Sequence, residues 1–154
     1  MLRFTKRADY GLMAIHYIAF NDGFGAVSAK RIAEEFAIPP ELMAKILQRL
    51  AKQRLVVSTN GPKGGYVLAR RPTEITVGQV IRVLEGPLAL TPCVSVTAYR
   101  KCDECVDETT CGVRLAMKEV RDATASILDN RTLAALNAQV ARSFTARRPR
   151  RKNQ

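Results

Sequence analysis

The sequence predicts a mostly helical chain with a β-hairpin wing: a winged helix-turn-helix domain followed by a long dimerisation helix. Three observations predict it. Two short amphipathic helical patterns, separated by Ile38-Pro39-Pro40, occupy residues 28–52. Two strand-like runs bracket the turn Asn60-Gly61-Pro62-Lys63-Gly64-Gly65. A stripe of Val113, Val120 and Ile127, seven residues apart with Ala116 and Ala123 between, runs along a later helix.

In order, the first helix is expected from about Thr5 to Asn21. Leu12, Met13, Ala14, Ile15, Tyr17, Ile18 and Ala19 make it apolar nearly all round, so it is expected to be buried or half-buried against a partner subunit. His16, the only histidine, lies on it and is read as a core residue. Asn21-Asp22-Gly23-Phe24-Gly25 then makes a turn. Ser28 is the N-cap of the next helix, whose apolar face is Ala29, Ile32, Ala33 and Phe36 and whose wet face carries Lys30, Arg31, Glu34 and Glu35. Pro40 suits the first turn of the third helix, because its missing N–H has no partner there anyway. That helix runs from Glu41 to about Lys52 and buries Leu42, Ile46, Leu47 and Leu50. It displays Glu41, Ala44, Lys45, Gln48 and Lys52, with Arg49 nearby, which makes it the recognition helix.

The wing follows, with strands over residues 55–58 and 66–69. Glycines at its tip allow backbone to approach a phosphate, and Lys63 supplies charge. The tip is no nucleotide cradle, since G-P-K-G-G lacks the Lys-Ser/Thr ending and a strand follows it. The candidate DNA contacts are therefore Ser28, Lys30, Pro40, Glu41, Lys45, Gln48, Arg49, Lys52, Asn60, Lys63 and Gly64. Thr76 caps a short helix, residues 77–84, that ends at Glu85-Gly86-Pro87. A long helix runs over residues 113–129, and a last one from Thr132 to about Phe144. The tail over residues 145–154 is basic and proline-interrupted, hence expected to be disordered. Residues 1–86 are thus read as the DNA-binding domain, 87–112 as a cysteine-rich loop, and 113–144 as the dimerisation and C-terminal helices.

A chain of 154 residues normally makes one domain, or one small domain plus an appendage. Its formal net charge of +11 and pI near 10.0 point to a polyanionic partner, nucleic acid before membrane. No apolar run is long enough to span a bilayer. The start, MLRFTKRADYG, lacks the apolar core of a signal peptide, which predicts a cytoplasmic chain. An enzyme is not expected. There is one histidine, no Ser–His–Asp or Cys–His set, and no nucleotide fingerprint.

All four cysteines, Cys93, Cys102, Cys105 and Cys111, fall between Thr91 and Gly112. Several thiolates in one bendable loop can surround a metal ion or an iron–sulfur cluster. Residues alone leave other readings open. Zinc is one, although only Cys102 and Cys105 form a close pair. Two disulfides, a redox dithiol and inert thiols are others.

The order of elements resembles the Rrf-type winged-helix transcriptional regulators that include the iron–sulfur regulators IscR, NsrR and RirA. The resemblance rests on ADYGLMAIHYIA, RIAEEFAIP, LQRLAKQRLVVSTNGPKGGYVLAR, ITVGQVIRVLEG and the cysteine loop. It covers nearly the whole chain to about Leu136. It implies a homodimeric repressor that binds a double-stranded DNA operator, with affinity controlled by an iron–sulfur cluster, 2Fe-2S or 4Fe-4S. The signal would be iron, cluster status, nitric oxide or redox state. Cys93, Cys105 and Cys111 match the family's usual triplet. The fourth ligand implied is either Cys102, which is additional here, or Asp9, which resembles the carboxylate ligand of the nitric-oxide-sensing members. The alternative is a zinc-stabilised or metal-free winged-helix regulator that responds to a metabolite or to thiol oxidation.

Overall fold

The structure is a computed structural model that describes residues 4–147. Helices α1 (Lys6–Phe20), α2 (Ala29–Glu35) and α3 (Pro40–Lys52) are followed by strands β1 (Val56–Thr59) and β2 (Gly65–Leu68). Then come α4 (Val77–Glu85), a 3-10 turn (Pro92–Val94), α5 (Gly112–Asp129) and α6 (Leu133–Arg147). Among the described residues no helix is long and apolar enough to cross a membrane. The basic tail beyond Arg147 lies outside the described residues; α6 itself continues past Phe144, where the sequence reading had begun the tail.

Caps explain most of the helix starts. Thr5 accepts from Ala8 N at 3.4 Å, and Ser28 accepts from Arg31 N at 3.1 Å. Thr76 accepts from Gln79 N, and the Gln79 side chain accepts in return from Thr76 N, both at 3.2 Å, which is a capping box. The ends of α2 and α3 share one design. Ile38 N donates to Ala33 O at 2.9 Å and Ala37 N to Glu34 O; Leu55 N donates to Leu50 O at 3.0 Å and Arg54 N to Ala51 O. These paired bonds satisfy the last carbonyls of each helix and turn the chain sharply through a left-handed residue.

Helix α3 buries Met43, Ile46, Leu47 and Leu50. Those four lie on one face at 3.6 residues per turn, so Met43 takes the place expected of Leu42, which sits a step round the helix and is only partly buried. Helix α1 packs against α3 and α4 so closely that a Cβ on Gly11 would lie 2.2 Å from Leu84 Cδ1. It buries Ala8, Ala14, Ile15, Ile18 and Ala19, while Met13 and Phe20 stay exposed; the helix is half-buried. Helix α6 returns to the same core. Leu133 is fully buried, its N–H donates to Ile75 O at 2.9 Å, and Asn137 Nδ2 donates to Ala19 O at 3.0 Å.

The two strands pair antiparallel, Val56 with Leu68 through Thr59 with Gly65. Tyr66 also pairs with Val27 by two backbone bonds of 2.8 and 3.0 Å, so the wing is pinned beside the start of α2. The approach leaves no room at Gly65, where a Cβ would sit 2.5 Å from the Val27 carbonyl carbon and oxygen. Backbone cannot yield as a flexible side chain can. Gly65→Ala is therefore expected to destabilise by about 1–3 kcal/mol and to lower the melting temperature by several degrees, as measured by thermal denaturation.

A candidate nucleic-acid interface and cysteine centre

The amphipathic pattern of α3 turns Lys45, Gln48, Arg49 and Lys52 away from the core. They line one groove of about 710 Å³ with Gln53, Arg82 and Val83. Arg49 Nε donates to Val83 O at 2.8 Å, so this side chain also clamps α3 to α4. Pro40 and Glu41 open the helix, where an acid complements the N-terminal dipole. The other candidates lie away from this groove. Ser28 Oγ is engaged as the cap of α2, and Lys30 forms an exposed pair with Glu34 at 3.9 Å that contributes little. Asn60 and Lys63 are exposed at the wing tip. Gly64 closes that tip: its N–H donates to Gly61 O at 2.9 Å, and a Cβ would lie 2.5 Å from Thr59 O.

Sequence reading missed Gln53 and Arg82. Arg82 belongs to a helix distant in sequence from α3, and only tertiary packing brings it to the groove. Its guanidinium also forks onto Asp129 at the end of α5, at 2.5 and 2.8 Å. The bonded Arg82 guanidinium holds the Asp129 carboxyl below the usual carboxylate range. The pair is half-exposed, so it matters as a geometric tie between α5 and the groove more than as a source of stability.

The cysteine loop begins on an anchored segment. Cys93, Val94 and Ser95 are buried. Arg121 of α5 donates to Val94 O at 2.6 Å, and Cys93 Sγ lies 3.5 Å from Thr91 Oγ1. Cys105 N donates to Cys102 O at 3.1 Å, which turns the chain between these two residues. Cys111 is the N-cap residue of α5. Tyr99 Oη donates to the Glu108 carboxylate at 2.7 and 2.8 Å, and Glu108 lies 3.7 Å from Arg114 Nε on α5. Both flanks of the loop are thereby tied down.

All four cysteines are free thiols. The Cys102 thiol is pushed up, first by its hydrogen bond to Cys93, then by desolvation and by the charges of Cys93, Cys105 and Cys111. Cys102 thus lies within electrostatic reach of the other three cysteines. Yet among the described residues no three His, Cys, Asp or Glu side chains are gathered closely enough to hold one metal ion. The two observations are compatible. Zinc needs its thiolates about 2.3 Å from a single point, whereas a cluster distributes its thiolates over several irons. Four soft thiolates in one loop are the donor type that an iron–sulfur cluster takes, but among the described residues they are not gathered into a finished site. Asp9 is exposed in the first turn of α1, without a carboxylate partner among the described residues, and does not join the cysteines within the protomer. Among the described residues His16 Nε2 is buried without a hydrogen-bond partner, and burial lowers the pKa of the ring.

Helix α5 buries no residue in the protomer. Its stripe faces outward, with Val113 65%, Val120 38% and Ile127 66% exposed. An apolar face of this length, left open among the described residues, is expected to be covered by another surface.

A family model described as "Rrf2: Iron-dependent Transcriptional regulator" matches residues 4–139. The HTH-type transcriptional regulator NsrR of Geobacillus kaustophilus is 32% identical over 135 residues, 88% of this chain and 89% of that one. The structure of CymR (YrzC), the global cysteine regulator of B. subtilis, matches with a TM-score of 0.75 and 30% identity, covering 90% of this chain and 98% of that chain. T. potens IscR matches with a TM-score of 0.70 and 32% identity, covering 90% and 88%.

Proposed function

Because this chain belongs to the Rrf2 family of transcriptional regulators, we propose that it is a cytoplasmic, homodimeric repressor whose operator affinity is controlled by an iron–sulfur cluster. Residues 1–86 bind DNA, 87–112 hold the cluster, and 113–144 join the protomers. One observation carries the reading: four free thiols share one anchored loop that leads directly into a helix with an unpartnered apolar face.

Cys93, Cys105 and Cys111 hold the group, and Cys102 or Asp9 of the second protomer completes it. When bound, the cluster supplies iron–thiolate bonds that respond to iron supply, oxidants and nitric oxide. The chain's own residues carry the rest. Cys111 directly precedes α5 and makes no side-chain cap bond there, so a bond on its sulfur would add a tether at the start of that helix. Asp129 at the far end grips Arg82, which lines the groove with Lys45, Gln48 and Lys52. A shift of α5 therefore reaches the DNA-facing surface through one ion pair. In the duplex, Gln48 can read adenine and Lys45 guanine, while Lys63 meets phosphate at the wing.

A second reading draws on the likeness to a cysteine regulator and on the nearness of the Cys93 and Cys102 thiols: a metal-free regulator switched by thiol oxidation. Protein purified without oxygen separates the two. The cluster reading expects coloured protein with iron and acid-labile sulfide. Colourless protein without iron, whose DNA binding changes when Cys93 and Cys102 are oxidised, supports the second reading instead.

A further inference from the structure

Arg54 holds a backbone conformation suited to glycine. It follows the C-cap Gln53 of α3 and has φ +54°. A Cβ crowds the neighbouring carbonyl in this region, which is why glycine usually ends such helices. The turn does not use the arginine side chain. It is closed by backbone bonds alone, Arg54 N to Ala51 O at 2.9 Å and Leu55 N to Leu50 O at 3.0 Å. Nor does the guanidinium form a hydrogen bond or ion pair with any other described residue.

The side chain instead lines a groove of about 510 Å³ with Gln53, Val57, Ala69 and Arg70. No carboxylate lines it. Gln53 also lines the groove along the recognition helix, so the two grooves adjoin. A basic surface therefore runs from Lys45 and Lys52, past Gln53, to Arg54 and Arg70 at the base of the wing. Two guanidinium groups at the rim of a groove without a carboxylate suit phosphodiester oxygens, which they meet as planar forks.

We propose that Arg54 is a phosphate-binding residue of the DNA interface, extending it from the recognition helix to the base of the wing. The inference rests on the DNA-binding reading above. It accounts for an arginine held where glycine would be less strained: the residue serves through its charge and not through the turn.

The test compares full-length wild type with Arg54→Gly and Arg54→Lys. Melting temperature is measured, together with affinity for a selected operator duplex between 50 and 200 mM salt. Ala37, at φ +51° after α2, gives the control Ala37→Gly, which relieves the same conformation without removing a charge. Arg54→Gly is expected to melt higher yet bind about fivefold to tenfold more weakly per protomer near 0.1 M salt. Its slope of log affinity against log salt should fall by about 0.9 per protomer. Arg54→Lys should keep the slope, and Ala37→Gly should raise the melting temperature with the slope unchanged. Wild-type affinity and slope in Arg54→Gly would overturn the proposal alone and leave the DNA-binding reading standing. Parallel loss of stability and affinity would make the residue structural, which also overturns it. Failure of the wild type to bind any duplex would overturn both.

Discussion

Cys105→Ala or Cys111→Ala is expected to abolish bound iron and acid-labile sulfide and to change operator affinity about tenfold or more. Alanine supplies no thiolate, and a cluster that loses one of its four ligands is opened to solvent and to oxidants. A tenfold change in affinity corresponds to a coupling of about 1.4 kcal/mol, within the usual range for linked sites. The two positions differ in consequence. Cys111 directly precedes α5 without a side-chain cap bond, so its replacement removes a cluster tether at the helix start, while Cys105 lies within the loop. Metal and sulfide analysis of anaerobically purified variants checks the first part, and operator titration the second. Cys102→Ala then identifies the fourth ligand. Loss of the cluster assigns Cys102; retention points to Asp9, whose carboxylate has no partner within its own protomer among the described residues. Variants that keep a full complement of iron would remove the cysteine loop from the account.

Ile127→Glu is expected to convert the proposed dimer into folded monomers. Ile127 is two-thirds exposed in the protomer, so a carboxylate there costs the isolated fold little. In a two-fold interface the same carboxylate appears twice, on facing copies of α5. An unpaired charge buried at an interface costs about 2–5 kcal/mol, so the dimer dissociation constant should rise about a hundredfold or more. Operator affinity should fall with it, because a monomer engages one half-site and loses the gain from joining two. Sedimentation equilibrium reads the assembly, and circular dichroism verifies that the monomer keeps its helices. An Ile127→Glu protein that remains dimeric would place the interface elsewhere than along Val113, Val120 and Ile127.

Much of the DNA-binding fold was legible in the sequence because local rules decide it. Ser28 and Thr76 cap as side-chain chemistry requires, and the periodicity of Ile46, Leu47 and Leu50 orients α3. The wing turn follows from its glycines. What was not legible depends on contacts far apart in sequence. Nothing local links Arg82 to Asp129, or Leu133 to Ile75. The burial of Cys93 and Val94 depends on packing around the 3-10 turn and on Arg121 reaching back to Val94 O. The left-handed Arg54 escaped a reading by residue type, since type argues for glycine there; the backbone bonds that close the turn impose the conformation. The cysteines were evident as a set, but the reach of Cys102 to the other three is a property of the folded loop.

The central claim is that the group held by the cysteine loop sets affinity at the recognition helix. Operator affinity measured on one anaerobic preparation, before and after the cluster is removed by a chelator, tests it most directly. The expected result is a change of about tenfold or more, tracking the loss of visible absorbance and absent from Cys105→Ala protein. Equal affinity before and after removal, or a colourless protein with stoichiometric zinc that binds the operator fully, would contradict it.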